Sequence, residues 1–307
     1  MNARTLLLTP WLLAALAAPA LAQVAAPSLL PVNPFVDAAS YYTALDFVTL
    51  NPAAMQWGAP SRIGAAALEV TRDEGTGSDL NFAGEAYGAR GVWERFSLAA
   101  EASSVKDDEA SFDYTQDTTF YGLAAQPFGW LALGASQYEA KIDDGGNATT
   151  DTIGAYGVSL RLSEMFFVGY TSGRETLDSY QLTEKVSRDV RAFGVGFRRG
   201  GSFNVHAEYY SFYRAPYKIN GGYRAKDQAD VGVLELGLGS LVAGYRAFRY
   251  ENKSDSEKSD GQQVSLAWAP ASGFTLGAHL ATSTDKNADG SKKADEEVRT
   301  ISVGWQF

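Results

Sequence analysis

The chain has 307 residues, of which 45% are apolar, 12% aromatic and 20% charged, with 31 Gly, 10 Pro and no Cys. These values exclude collagen-like, disulfide-stapled and wholly disordered classes, and with them thiol catalysis, Cys-ligated zinc and iron–sulfur clusters. With 26 Lys+Arg against 36 Asp+Glu the net charge is -10, so a surface that neutralises nucleic-acid phosphates is not expected.

Residues 1–22 begin with Arg4, continue as an apolar run from Leu6 to Leu16 and end on Ala20-Leu21-Ala22, a small-x-small cleavage site. This is the pattern of a secretory signal peptide. A retained membrane anchor needs roughly 20 apolar residues, and the run here is shorter and interrupted by Pro10 and Pro19. Residues 23–59 form a separate segment before the first periodic element, and residues 60–307 carry the rest of the pattern.

From Arg62 onward the sequence alternates apolar and polar residues with period two and almost never shows the i, i+3, i+4 spacing of a helix. Segments of this kind begin near Arg62, Asn81, Phe96, Thr118, Leu131, Thr152, Phe166, Val190, Phe203, Ala229, Leu241, Gln262, Phe274 and Val298. The last is the clearest: Ile301, Val303, Trp305 and Phe307 fall on one face, and Thr300, Ser302, Gly304 and Gln306 on the other. About fourteen strands in residues 60–307 leave about 18 residues per unit, which suits a tilted spanning strand of roughly 9–11 residues with its share of two connections.

The connections alternate in kind. Short ones lie at 91–95, 127–129, 163–165, 200–202, 239–240 and 270–273. Long polar ones are expected at 106–114, 142–149, 172–188, 213–228, 252–260 and 284–297. An up-and-down transmembrane β-barrel has short turns on the periplasmic rim and longer loops outside, with both chain ends on the short-turn side. Trp93, Trp130, Trp268 and Trp305 all lie beside short turns or the C-terminus, as an interfacial aromatic girdle requires. Tyr138, Tyr170, Tyr209 and Tyr250 are candidates for the second girdle. The competing fold, a secreted β-sandwich or soluble barrel, also alternates but has no reason to sort its loops by length. The expected fold is therefore an all-β transmembrane antiparallel up-and-down barrel in the outer membrane of a Gram-negative bacterium.

Two stretches carry a resemblance. The strand ending in Phe307, with Ile301, Val303 and Trp305 on the same face, is similar to the signal that delivers outer-membrane barrels to their assembly machinery. Residues 38–55, AASYYTALDFVTLNPAAM, resemble the N-terminal hatch of the FadL/TodX family of hydrophobic-compound transporters, with Asn51-Pro52-Ala53 matching its Asn-Pro-Ala signature just before the first strand. The resemblance implies a fourteen-stranded barrel plugged by a hatch at 23–59, and uptake of a hydrophobic or amphipathic small molecule. Read as residues alone, Asn51-Pro52-Ala53 also suits an ordinary turn. Two other functions stay open: a non-transporting structural or assembly-partner barrel, and a water-filled porin.

Placing the apolar faces toward lipid turns Glu69, Glu85, Glu101, Arg161, Arg198, His206, Glu208, Glu235, Arg246 and His279 inward, because a cation facing lipid at mid-depth costs roughly 2–4 kcal/mol. These groups read as a salt-bridge network supporting the barrel, or as a polar path through it. Catalysis is not expected: Asn204, His206 and Glu208 share a strand face, with Ser202, Ser211 and His279 as candidate neighbours, but a triad needs nucleophile, base and orienter within hydrogen-bond reach, and the sequence fixes none of those distances. Finally, Asp285-x-Asn287-x-Asp289-Gly290-x5-Glu296 fits the twelve-residue calcium-loop pattern. Asp285, Asn287, Asp289 and Glu296 are thus candidate calcium ligands, opposed by Lys286, Lys292 and Lys293. No other cofactor is expected.

Overall fold

The computed structural model describes residues 53, 61–73, 80–107, 114–180, 185–199, 203–219, 222–224, 227–252, 258–270 and 273–306. They form β1 Arg62–Asp73, β2 Leu80–Val92, β3 Phe96–Asp107, β4 Tyr114–Phe128, β5 Leu131–Asp144, β6 Asn147–Arg161, β7 Phe166–Ser179, β8 Val186–Arg199 and β9 Phe203–Arg214. There follow a small pair, β10 Tyr217–Ile219 and β11 Gly222–Arg224, then β12 Asp227–Leu238, β13 Leu241–Asn252, β14 Lys258–Trp268, β15 Gly273–Lys286 and β16 Lys292–Gln306. The described residues contain no helix long and apolar enough to cross a membrane.

Fourteen strands close into one antiparallel barrel, each beside its chain neighbour, with β12 following β9 and β1 closing on β16. The seam runs in unbroken register from Arg62 opposite Gln306 to Asp73 opposite Asp295. Closure leaves no free strand edge, which is why such a barrel can sit in lipid. The start of β1 and the end of β16 lie at the same rim as the short turns, here the inner rim. The opposite end is the outer rim.

The outward face of the inner half is apolar: Leu98, Leu123, Leu133, Val195, Leu236, Leu266, Leu276 and Val303 are all exposed. At the inner rim the belt is bordered by aromatic rings. Trp93 stacks on Phe96 at 4.6 Å and Phe128 on Trp130 at 5.7 Å, and Phe203, Trp268, Phe274 and Trp305 are also exposed. A second ring is formed by outward-facing Tyr87, Tyr121, Tyr156, Tyr170, Tyr209 and Tyr245. Their hydroxyls turn toward polar neighbours on the outer side: Tyr209 donates to Asp230 at 2.9 Å, Tyr245 to Gln262 at 3.3 Å and Tyr87 to Glu85 at 3.0 Å. An apolar band between two aromatic girdles is the signature of a membrane-spanning barrel. Of the tyrosines assigned to this girdle from sequence, Tyr170 and Tyr209 belong to it. Tyr138 is buried and, like half-buried Tyr250, packs in the interior.

Each short connection lies where the alternation places it. The outer connections are shorter than expected, because the strands continue past the tyrosine girdle into segments read as loops. β7 runs to Ser179 and β8 begins at Val186, within the expected loop 172–188. The expected loop 142–149 is a two-residue hairpin in which Gly145 and Gly146 have φ of 62° and 87°, values that favour glycine and match the twist of the flanking strands. Its second amide donates to Asp143 at 2.8 Å.

Candidate functional site: the barrel interior

The inward residues of β9, read from the inner rim, are Asn204, His206, Glu208, Tyr210, Phe212 and Arg214, all buried. Taken with its neighbours, this strand divides the interior into an inner polar layer, a middle apolar layer and an outer charged layer.

The inner layer centres on His206. Its Nε2 lies 2.6 Å from a Glu208 oxygen and its Nδ1 3.1 Å from a Glu235 oxygen. The β9–β12 register places Glu235 directly opposite His206, so the fold delivers the second carboxylate across the sheet. Arg246 on β13 is buried beside them and donates to Gln263 of β14 at 3.4 Å. These groups exclude one another from water, and their mutual pairing offsets what burial costs each of them.

The middle layer is an apolar collar. On one arc Phe120, Tyr138, Val190, Tyr210, Phe212, Val231 and Phe248 pack together. On the other, Leu68, Val70, Phe82, Val105 and Val298 do the same. Glycines let rings lie flat on the wall: a Cβ added at Gly196 would fall 2.0 Å from the Phe167 ring, and one at Gly261 would fall 2.1 Å from the Phe248 ring.

The outer layer holds two charged clusters on opposite sides of the barrel. On β6–β9, Glu175 pairs with Arg188 and, at 3.1 Å, with Arg214, and Asp151 lies beside them. On β1, β15 and β16, fully buried Arg72 reaches Asp285 at 3.1 Å and Glu296 at 3.4 Å.

Of the residues expected inside, His206, Glu208 and Glu235 come together in one cluster, and Arg246 is buried on β13, the strand next to Glu235. Glu101 is inward by register and half-buried. Its strand neighbours across the ladder, Gly88, Gly64 and Gly304, carry no side chain, so it lies at the floor of a lipid-side groove of about 660 Å³. Arg161 sits exposed at the inner rim, its Nε donating to the Ser163 carbonyl at 3.3 Å. Arg198 is opposite His206 in the β8–β9 register and His279 opposite Ser265 in β14–β15; their side chains lie outside the described residues.

Glu69 and Glu85 are corrections: both are exposed on the outward face. Glu69 lies opposite Arg299 on β16, and Glu85 accepts from Tyr87. Both stand on the outer side of the tyrosine girdle, where the surroundings are polar and an outward carboxylate carries no lipid penalty. Their inward neighbours there, Leu68, Val70 and Ala86, are the buried ones.

The four candidate calcium ligands are also divided. Asp285 and Glu296 point inward onto Arg72. Asp289 accepts from the Ser291 amide at 2.8 Å, and Asn287 donates to the Ser291 hydroxyl at 3.0 Å. The turn is short because β15 runs through Lys286 and β16 starts at Lys292. Strand alternation then aims its first and last carboxylates into the barrel. Hydrogen bonds from Ser291 hold the exposed Asp289 carboxyl below the usual carboxylate range. Among the described residues, no group of three or more His, Asp or Glu is placed to share a metal ion.

Asn51 and Pro52 lie outside the described residues; Ala53 is fully buried. Sequence reasoning missed Arg72, Asp151, Glu175, Arg188 and Arg214 because it placed most of them in or beside loops. The alternation itself points to them: Arg188, Val190 and Ala192 share one face, as do Tyr210, Phe212 and Arg214.

No family model matches the sequence, and no curated protein matches it either. Solved structures share its fold. The Ralstonia pickettii toluene transporter TbuX superposes with a TM-score of 0.59 at 11% identity, over 89% of this chain and 96% of that one. The Pseudomonas putida toluene transporter TodX gives 0.54 at 10% identity, over 88% and 95%. A FadL homologue from Pseudomonas aeruginosa gives 0.52 at 8% identity, over 88% and 96%. The barrel is FadL-like in fold.

Proposed function

We propose that the chain is an outer-membrane channel that takes up a hydrophobic or amphipathic small molecule. The observation that carries this reading is the collar. Water-filled barrels have polar interiors, whereas a ring of buried Phe, Tyr, Leu and Val side chains offers an apolar solute the environment it prefers to water. Structures of the same fold that are described as toluene transporters support the substrate class. In this reading residues 1–22 direct export and are removed. Residues 23–59, with Asn51-Pro52-Ala53, plug the inner half, which agrees with the complete burial of Ala53. The strand ending in Phe307 is the handle for barrel assembly in a Gram-negative outer membrane. The outward placement of Ile301, Val303 and Trp305 supports that role.

The test is binding of the apolar dye 1-N-phenylnaphthylamine to the refolded barrel. Fluorescence enhancement that saturates, and that falls at least tenfold in affinity in F120S/F212S, supports a collar site. Equal enhancement by both proteins would place the dye in the surrounding detergent and remove the collar from the functional account.

A further inference from the structure

The outward face of β14, β15 and β16 changes character just above the tyrosine girdle. Tyr245 marks the girdle, and the registers set Val264 of β14 opposite it, Leu280 of β15 opposite Val264, and Arg299 of β16 opposite Leu280. One step higher Gln262, Thr282 and Glu297 stand side by side, and one step above them Asp260, Thr284 and Asp295. Directly opposed residues share a sheet face, so the two threonines form a low line on β15 between longer side chains on β14 and β16. The result is a trough of about 650 Å³. Its walls stand two strand spacings apart, roughly 10 Å, enough for one sugar ring.

The lining has the chemistry that hydroxyl-rich ligands need. Neighbouring hydroxyls of a sugar both donate and accept, and the planar groups of Glu297, Gln262 and Arg299 each present two atoms to such a pair. The threonine hydroxyls on the floor donate or accept as required. Tyr245, at the lower edge, offers an apolar ring face to the C–H face of a sugar. These groups are already held in place: Thr284 donates to Asp295 at 2.8 Å, Tyr245 to Gln262 at 3.3 Å and Arg299 to Glu297 at 2.6 Å. Phosphate is disfavoured. Lys286, Lys292 and Arg299 pair with Asp260, Asp295 and Glu297 respectively, and Asp73 also lines the trough, so the cations there have no surplus over the carboxylates.

Height and continuity select the source. At roughly 3.3 Å per residue and a tilt of about 40°, the two levels stand about 5 and 10 Å above the girdle along the membrane normal. That is the upper part of the polar layer, which reaches about 5–8 Å beyond the hydrocarbon. Below Thr282 the same strand face continues as Leu280 and Leu276, and below Gln262 as Val264 and Leu266, all exposed in the apolar belt. A sugar and an acyl chain therefore share one continuous surface, of which a soluble saccharide would use only the upper half.

We infer that this trough is a binding site for the uncharged sugar headgroup of a membrane glycolipid whose acyl chains lie on the belt below it. The test uses the full chain refolded into phosphatidylcholine nanodiscs with monoglucosyl diacylglycerol as a minor component, and native mass spectrometry of the lipids that the barrel retains. The glucolipid should be retained well above its share of the bilayer. That enrichment should fall roughly tenfold in Q262L and in E297L, the factor carried by about one hydrogen bond, and should be lost in T282F, which fills the floor. All three positions face outward and phenylalanine suits a strand, and the heat-modifiable gel mobility of each variant checks that the barrel has folded. Equal enrichment in wild type and T282F, equal or greater enrichment of phosphatidylglycerol, or complete displacement by free glucose at the concentration of the glucolipid would each overturn the assignment.

Discussion

His206 is held from both sides, by Glu208 at 2.6 Å and Glu235 at 3.1 Å, in an interior where neither carboxylate has water to turn to. Replacing the ring by Phe leaves two buried carboxylates facing each other, and breaking a buried ion cluster in this way costs about 3–5 kcal/mol. His206→Phe should lower stability to that extent in denaturant titrations of the lipid-refolded barrel, and adding E208Q and E235Q should recover part of the loss. If H206F alone is neutral, the clamp contributes nothing to the fold. Leu266 and Gln262 give a second contrast, since they lie on the same face of the same strand at different depths. Leu266 is 61% exposed within the apolar belt, whereas Gln262 accepts from Tyr245 at the girdle. Leu266→Arg should destabilise the barrel by about 2–4 kcal/mol and Gln262→Arg by about 0–1. Equal losses would contradict the placement of the belt.

The strands show where the sequence is readable and where it is not. Strands leaving the inner rim were expected to begin near Arg62, Phe96, Leu131, Phe166, Phe203, Leu241 and Phe274, and they begin at Arg62, Phe96, Leu131, Phe166, Phe203, Leu241 and Gly273. Those returning from the outer rim were expected near Asn81, Thr118, Thr152, Val190, Ala229, Gln262 and Val298 and begin earlier, at Leu80, Tyr114, Asn147, Val186, Asp227, Lys258 and Lys292, by as little as one or two residues at β2 and β12 and by four to six at the others. The difference is physical. Within lipid every second residue must be apolar, so the alternation is sharp. Above the girdle the outward face meets water and the inward face is the apolar collar or a charged cluster, so the pattern inverts or fades. The same inversion misplaced Glu69 and Glu85 and hid Glu175 and Arg188, while His206, Glu208, Glu235 and Arg246, at lipid depth, were legible. At the level of strand pairs, Gly196 is a direct test of collar packing. Gly196→Ala sets a Cβ against the Phe167 ring and should cost about 1–3 kcal/mol. Adding Phe167→Ala should relieve that clash, and a double variant no more stable than expected from the two single losses would show that the ring does not rest there.

Across the whole molecule the layers work together. The ion clusters at the two ends of the interior hold the wall, the collar between them disfavours ions and water, and the apolar belt outside sets the depth at which the barrel sits. If residues 23–59 plug the inner half, their deletion should raise planar-bilayer conductance while the barrel still refolds; a refolded deletion variant with unchanged conductance would remove the plug. The most direct test of the transport reading is solute selectivity in Gram-negative cells expressing the chain, using a radiolabelled monoaromatic hydrocarbon and a radiolabelled pentose side by side. The expected result is faster hydrocarbon entry with pentose entry unchanged from control cells; faster pentose entry with unchanged hydrocarbon entry would contradict it.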